Sequence, residues 1–249
     1  MLRVSRARRQ RLRSVAAQLG VEELARTAWE LARPDIRRDR IATAFFRCAL
    51  AAILNRDSNC IDAGAHRGDL LADIVRIAPE GTHFAFEPLP AFAAQIRDRF
   101  PTVRVEEVAL WNRKGTAPFV HVLSEPALSS LRVDKAQRGT LEQLTVPTDR
   151  LDDLVPDDWP VALIKIDVEG AERQVLEGAA ATIDRCQPVL YFEHHRAAHA
   201  FGTSAPDLFS LLTRSLGYRV FDVRGNGPYD VRAFELAERR HVTNFLARP

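Results

Sequence analysis

The sequence predicts an α/β protein: a doubly wound, mainly parallel seven-stranded sheet preceded by an N-terminal helical extension. Three observations carry this. From Cys60 onward, short apolar runs alternate with helical segments, the order of βαβ units in a parallel sheet. The run Val161–Asp167 (Val-Ala-Leu-Ile-Lys-Ile-Asp) is almost continuously apolar, as a strand covered on both faces is. The stretch Cys60–Gly68 (Cys-Ile-Asp-Ala-Gly-Ala-His-Arg-Gly) reads as strand, glycine turn and helix start, with Asp62, Gly64 and Gly68 at Asp-x-Gly-x-x-x-Gly spacing.

Composition bounds the function. The 249 residues are 46% hydrophobic and 27% charged, enough for one α/β domain with an appendage. A net charge of +2 implies no general affinity for polyanions. Cys48, Cys60 and Cys186 lack metal-like spacing, and an odd count argues against a disulfide framework. A reducing, cytoplasmic setting is therefore expected. No apolar run approaches the ~18 residues of a membrane span, and no apolar segment follows the basic N-terminus as a signal peptide would require. Lysine occurs only as Lys114, Lys135 and Lys165 among 35 basic residues, which singles out Lys165 inside the apolar strand.

In chain order, residues 1–13 carry six arginines and no acid, a solvated terminus or an arm for an anionic partner. Aromatic interleaving is absent, which speaks against nucleic acid. Residues 14–55 read as two helices parted by Pro34, the first with Leu12, Val15, Ala16 and Leu19 at helical spacing. The second is expected to show Ile41, Phe45, Cys48, Ala49, Ala52 and Ile53 on one face. The domains expected are thus a helical extension or cap over 1–55 and a Rossmann-like domain over 56–249. An exposed apolar face on the 14–55 helices would favour a homodimer.

After the first strand and helix (Asp69–Ile77), Thr82–Phe86 is a strand and Pro90–Phe100 a helix with proline in its first turn. Val103–Ala109 is a third strand, and Ala117–Leu123 an extra strand or hairpin. Ser124–Thr140 is a long polar loop, Leu144–Pro147 a short extended piece and Asp149–Leu154 a helical turn. Ala171–Ile183 is a helix, Pro188–Phe192 a strand and Asp207–Leu216 a helix. Tyr218–Val223 and Val242–Ala247 are the last strands, the second an antiparallel insertion.

Ligands of such a sheet bind beyond the carboxyl ends of its strands. Collected there are Asp62, Glu87, Glu107 to Ala109, Asp167, Glu169 and Glu193 with His194. A dinucleotide turn would need Gly-x-Gly-x-x-Gly. A carboxylate at Asp62 would repel a pyrophosphate but accept from an ammonium, which suits the amino acid portion of S-adenosylmethionine (SAM). Glu87, about 20 residues past the turn, is placed to accept from both ribose hydroxyls. Val108 would pack an adenine ring, with Glu107 or the backbone at Ala109 meeting its exocyclic amine. Lys165 shares a strand face with Asp167, and a buried lysine needs a partner: Asp167, Glu169 or Glu193.

The pieces Ile61-Asp-Ala-Gly-Ala-His-Arg-Gly68, Phe86-Glu-Pro88, Leu163-Ile-Lys-Ile-Asp-Val-Glu-Gly-Ala-Glu172, the strand ending in Glu193 and Val242-Thr-Asn-Phe-Leu246 come in an order that resembles the FkbM-type methyltransferase family over roughly residues 58–247. The resemblance implies a class I Rossmann-like fold and SAM-dependent O-methylation of polyketides, sugars or glycolipids. By position, Asp62, Gly64 and Gly68 would hold the methionine end of SAM and Glu87 the ribose. His66 falls within the same turn, where the family often has a small polar residue. Asp167 and Glu169 would face the methyl-transfer site.

The expected chemistry is in-line attack of an acceptor hydroxyl on the sulfonium methyl. Asp167 or Glu169 is expected as general base, with Lys165 orienting them and His194 or His195 as alternative bases. No metal is assigned, although Asp167, Glu169, Glu193 and His194 together offer Mg²⁺ oxygen and nitrogen ligands. The partner expected is a small-molecule or glycan acceptor with a free hydroxyl. Ser129, Ser130, Arg132, Lys135 and Arg138 in the long loop are candidates to meet it. The competing readings are a nucleic-acid or protein N-methyltransferase, which lacks its Asn/Asp-Pro-Pro-aromatic motif here, and a non-catalytic SAM-binding or assembly module.

Overall fold

The structure, a computed structural model, describes residues 34–122 and 141–249. The expectations for residues 1–33, and those for Ser129 to Arg138, lie outside the described residues. The chain divides into two compact units, Met1–Phe46 and Arg47–Pro249. The first described helix, α1, is Pro34–Ile53. Its buried positions are Phe46 and Leu50, continued by Leu54 beyond the helix end, at i, i+4 and i+8. Phe45, Cys48 and Ala52 of the expected face are exposed. The apolar pattern was offset by one residue, because alanines and Cys48 fill both faces and blur the stripe.

The main sheet lies within the second unit. Its strands are β1 (Cys60–Ala63), β2 (His83–Phe86), β3 (Arg104–Glu106), β7 (Leu163–Ile166), β8 (Val189–Glu193), β9 (Arg219–Asp222) and β10 (Asn244–Arg248), in the order β3-β2-β1-β7-β8-β10-β9. The strands β1, β2 and β7 are buried at every position, which is why they are largely apolar, broken only by Asp62, His83 and Lys165. All main-sheet pairings are parallel except those of β10, which runs antiparallel to both β8 and β9. The helices α2 (Asp69–Ile77) and α3 (Pro90–Arg99) follow β1 and β2. In α2, Leu71 and Ile74 are fully buried, while Asp73 pairs with Arg47 at 2.7 Å and Arg76 at 3.3 Å.

Two expected elements are divided. The third strand leaves the main sheet after Glu106. It resumes as β4 (Ala109–Leu110), which pairs parallel with β6 (Leu141–Asp149) beside β5 (Gly115–Val122) in a second, three-stranded sheet. The helix expected over Ala171–Ile183 is two, α4 (Glu172–Gly178) and α5 (Ala180–Cys186). The Trp111 carbonyl presses against the first: a Cβ on Gly178 would lie 2.0 Å from it. Only glycine admits that approach, and the helix breaks directly after it.

Beyond β8 comes a 3₁₀ segment, Arg196–Phe201, then α6 (Ala205–Ser210) continuing as a π-helical turn over Leu211–Ser215. A capping box between Ser204 and Asp207 starts α6. A further helix unforeseen in the sequence reading, α7 (Val231–Arg239), is capped by Asp230, whose carboxylate accepts from Ala233 N at 2.7 Å. It buries Phe234 and Ala237. No described helix is long and apolar enough to cross a membrane.

Candidate active site

The turn after β1 is shaped by backbone packing. Gly64 (φ +75°) lies so close to β7's end that a Cβ there would fall 1.9 Å from the Asp167 carbonyl. A Cβ on Gly68 (φ +74°) would meet the Phe100 ring at 2.8 Å. Both glycines thus answer first to the protein's own packing. His66 also adopts positive φ, at 50°. Its backbone N donates to Glu87 Oε2 at 2.8 Å, and its ring meets Phe92 edge-on at 4.4 Å. Glu87 Oε1 accepts from Leu89 N at 3.0 Å, so one carboxylate ties the first turn to the start of α3. Burial pushes Glu87 up to about 7, against the pull of those two N–H groups.

Lys165 is the hub beneath this turn. It is 3% exposed and stands on β7 opposite Asp62, which is 1% exposed. Its Nζ lies 3.0 Å from Asp62 Oδ1 and 3.7 Å from Asp167 Oδ2. Its protons are aimed at the carbonyls of Gly64 (2.7 Å) and Ala63 (3.4 Å), so neither Asp62 oxygen receives an aligned hydrogen bond. Burial alone would lower the lysine, but Asp62 and Asp167 outweigh it and hold the ammonium charged. Lys165 meets Asp62 and Asp167; no contact with Glu169 or Glu193 joins them.

The second turn follows β7. Glu169 (φ 55°) and Gly170 (φ 105°) both occupy the left-handed region. A Cβ on Gly170 would lie 2.7 Å from the Ala197 backbone, so the 3₁₀ segment is seated directly on this turn. Gly170 N donates to Glu172 Oε1 at 2.9 Å, and burial pushes Glu172 up to about 7. Glu169 Oε2 stands 3.4 Å from His195 Nε2. Burial raises Glu169, with the His195 bond opposing. Burial, then the neighbouring Asp167 carboxylate, pushes Glu193 well above its ordinary range.

The two histidines after β8 part company. His194 is fully buried, its ring stacked 5.4 Å from Phe234, and burial drives it down to about 4. It turns towards Glu238 (3.8 Å), not Glu169, and so leaves the set of candidate bases. His195 faces Glu169 instead. Burial opposes its charge, but the Glu169 hydrogen bond and the nearby carboxylates raise it to about 9.

Glu169, Glu193 and His195 each present one atom within 4.8 Å of the others, a spacing that would suit a cation. This differs from the sequence-derived ligand set, which held Asp167 and His194. The His195 ring argues for a proton there. Its Nδ1 accepts from Ala197 N at 3.2 Å, which fixes the neutral ring's hydrogen on Nε2. The imidazolium is protonated at both nitrogens and gives up the bond from Ala197 N, but it too carries a hydrogen on Nε2. In either form Nε2 donates to Glu169 and offers a metal no lone pair.

The remaining expected contacts are engaged elsewhere. Glu107 is exposed and paired with Arg97. Val108 is buried in the main core and Ala109 in the cluster beneath the small sheet, where it pairs with Thr148 of β6. Neither stands as an open wall for an adenine. What remains open by chemistry is His66 Nε2 and Asp62 Oδ2, buried without a hydrogen-bond partner, while Asp62 Oδ1 faces the Lys165 ammonium at 3.0 Å. Such orphaned polar atoms fit a polar ligand carrying an ammonium and hydroxyls.

A seven-stranded sheet with one antiparallel strand, its charged side chains gathered at the carboxyl ends, defines a Rossmann-like α/β enzyme class. Residues 62–220, more than half of the chain, match the model of the methyltransferase FkbM domain, and the chain belongs to that family. No curated protein matches it. Among solved structures, methyltransferase FkbM from Methylobacillus flagellatus KT is similar at 17% identity and a TM-score of 0.50, covering 78% of this chain and 44% of that one. This chain thus spans less than half the length of that protein. An rRNA methylase from Streptococcus thermophilus is similar at 12% identity and TM-score 0.43, covering 81% and 90%. Precorrin-6y C5,15-methyltransferase from Geobacter metallireducens GS-15 follows at 19% and 0.39, covering 70% and 71%. At these identities the likeness is one of fold. It lends no support to the expectation that nucleic acid is excluded as a partner.

Proposed function

We propose that the chain is a SAM-dependent O-methyltransferase acting on a hydroxyl of a small-molecule, sugar, glycolipid or polyketide-type acceptor. The observation that carries this reading is Glu169, held in a strained turn by His195 beside two further carboxylates at the end of β7. The orphaned Asp62 Oδ2 and His66 Nε2 would meet the amino acid end of SAM. Glu87 would take the ribose, each of its oxygens keeping a lone pair beyond the N–H it already accepts. Bound there, SAM supplies an electrophilic methyl group on a good leaving group.

The chain's own residues then have separable tasks. Glu169, its basicity raised by burial, accepts the proton of the acceptor hydroxyl, and His195 Nε2–H keeps the carboxylate aimed. Beside it, burial and the Asp167 charge favour the protonated form of Glu193. Lys165 is a positioning residue that fastens the two turns together. The cysteines are unpaired, in keeping with a reducing cytoplasm.

The test is calorimetric titration of the protein and of Glu87→Ala with S-adenosylhomocysteine. Tight binding by the wild type, weakened at least tenfold in the variant, is the expected outcome. Equal binding by both would remove Glu87 from the site, and no binding by either would remove the cofactor assignment.

A further inference from the structure

A second concave site lies on the other side of the 3₁₀ segment from Glu169. It is a cavity of about 360 Å³ between that segment, the start of α6 and the last turns of α7. None of the residues assigned above to SAM or to proton transfer lines it. The volume is at the small end of the range for small-molecule pockets.

Its charges are matched in kind, but among the described residues only His199 and Glu238 approach one another, at 3.5 Å. Arg196, His199 and Arg239 face it and are exposed; Glu235 and Glu238 face it and are half-buried. Among the described residues the side chains of Arg196, Arg239 and Glu235 make no hydrogen bond or ion pair. Cations and carboxylates lining one cavity would ordinarily close on each other.

The deep end is the more telling. The Glu238 side chain is only 12% exposed. Its Oε1 is buried without a hydrogen-bond partner, 3.5 Å from His199 Nε2 and 3.8 Å from His194 Nε2. Both ring nitrogens of His194 are likewise buried and unpartnered. Burial favours the neutral form of that ring, which leaves the exposed His199, among the described residues, as the one cation facing the carboxylate. A buried carboxylate without an aligned donor is costly, and an ammonium seated against it would remove the cost. At the mouth, the unpaired guanidiniums of Arg196 and Arg239 offer donors to an anion.

We propose that this cavity binds a small zwitterion, its ammonium inward on Glu238 beside His199 and its carboxylate or phosphate outward on Arg196 and Arg239. The assignment is independent of the methyl-transfer reading. Because the 3₁₀ segment carries both His195 and the cavity's Arg196 and His199, an occupant bears on the element that aims Glu169.

The experiment is calorimetric titration of the full chain with O-phosphoethanolamine and with β-alanine. Ethanolamine and inorganic phosphate serve as the two half-molecules. One zwitterion is expected to bind, phosphate- or carboxylate-bearing according to which anion the mouth takes, and each half-molecule at least tenfold more weakly. Glu238→Gln should weaken the zwitterion about tenfold or more, the size of one charged hydrogen bond, without changing the response to phosphate. Arg239→Ala, an exposed position, should weaken the zwitterion and phosphate alike. Affinity for S-adenosylhomocysteine should be the same in all three proteins. Failure of every probe at millimolar concentration, or equal affinity in wild type and both variants, would overturn the site. A loss of S-adenosylhomocysteine binding with the zwitterion retained would instead count against the cofactor assignment alone.

Discussion

At the end of β1 a carboxylate, Asp62, is almost wholly buried and stands 3.0 Å from a lysine. At the end of the neighbouring β7 another carboxylate, Glu169, keeps 19% of its side chain exposed and meets only an imidazole, at 3.4 Å. Both turns use left-handed residues, His66 in one and Glu169 in the other. The first answers its charge with a fixed cation and fastens two strands together. The second holds its charge against a titratable partner, where a proton can arrive and leave. On the proposed reading the second junction moves a proton, while the first fastens the strands and meets the amino acid end of SAM.

Removing the fixed cation should break the comparison most severely. Lys165→Ala leaves Asp62 buried and uncompensated, and a loss of about 3–5 kcal/mol is expected in urea denaturation. If the variant melts like the wild type, the two junctions are not distinguished as described. At the other turn, Glu169→Gln should lower kcat by ~10²–10⁴ while the midpoint of unfolding and S-adenosylhomocysteine affinity stay near wild type. A destabilised Glu169→Gln protein would make that carboxylate structural after all.

A third effect is smaller and depends on pH. Burial lifts Glu172 from 4.5 to about 7, so between those values the folded chain keeps a proton the unfolded chain has released. The stability this group contributes is therefore present below about 4.5 and is lost as pH rises towards 7. The slope is at most ~1.4 kcal/mol per pH unit. Glu172→Gln should be flatter than wild type across that window in parallel denaturations, and identical slopes would refute the assignment. The smallest effect belongs to Glu107, paired with Arg97 at the exposed end of β3. Glu107→Ala should cost under ~1 kcal/mol and leave S-adenosylhomocysteine affinity unchanged; a tenfold loss of affinity would restore Glu107 to the adenine site.

The glycine turn, the apolar β7 and the charge cluster from Lys165 to Glu172 were legible because each is written in consecutive residues and answers to local rules. The identity of the lysine's partner was half legible. Strand periodicity put Asp167 on its face, but Asp62 is reached only across the β1–β7 pairing, at a sequence distance no local pattern spans. His194 and His195 were not separable in sequence. Alternation along a strand says that neighbours part, and which of them meets Glu169 depends on the register with β10 and on α7 behind Phe234. Asp230 as a cap, with Phe234 and Ala237 three residues apart, was the signal for α7 that went unread. Glu107 was assigned to a ligand for want of any sign that Arg97, one helix earlier, would claim it.

The position of β10 carries a consequence for how the protein folds. It follows β9 in sequence yet lies between β8 and β9, and among the described residues β9 has no other neighbour in the sheet. During folding, β9 therefore has nowhere to dock, and that side of β8 stays unpaired, until Asn244–Arg248 insert between them. During that interval a partly folded chain presents a hydrogen-bonding edge that a second such chain can capture. Whatever delays the insertion of β10 would thus lengthen the time in which two partly folded chains can pair edge to edge.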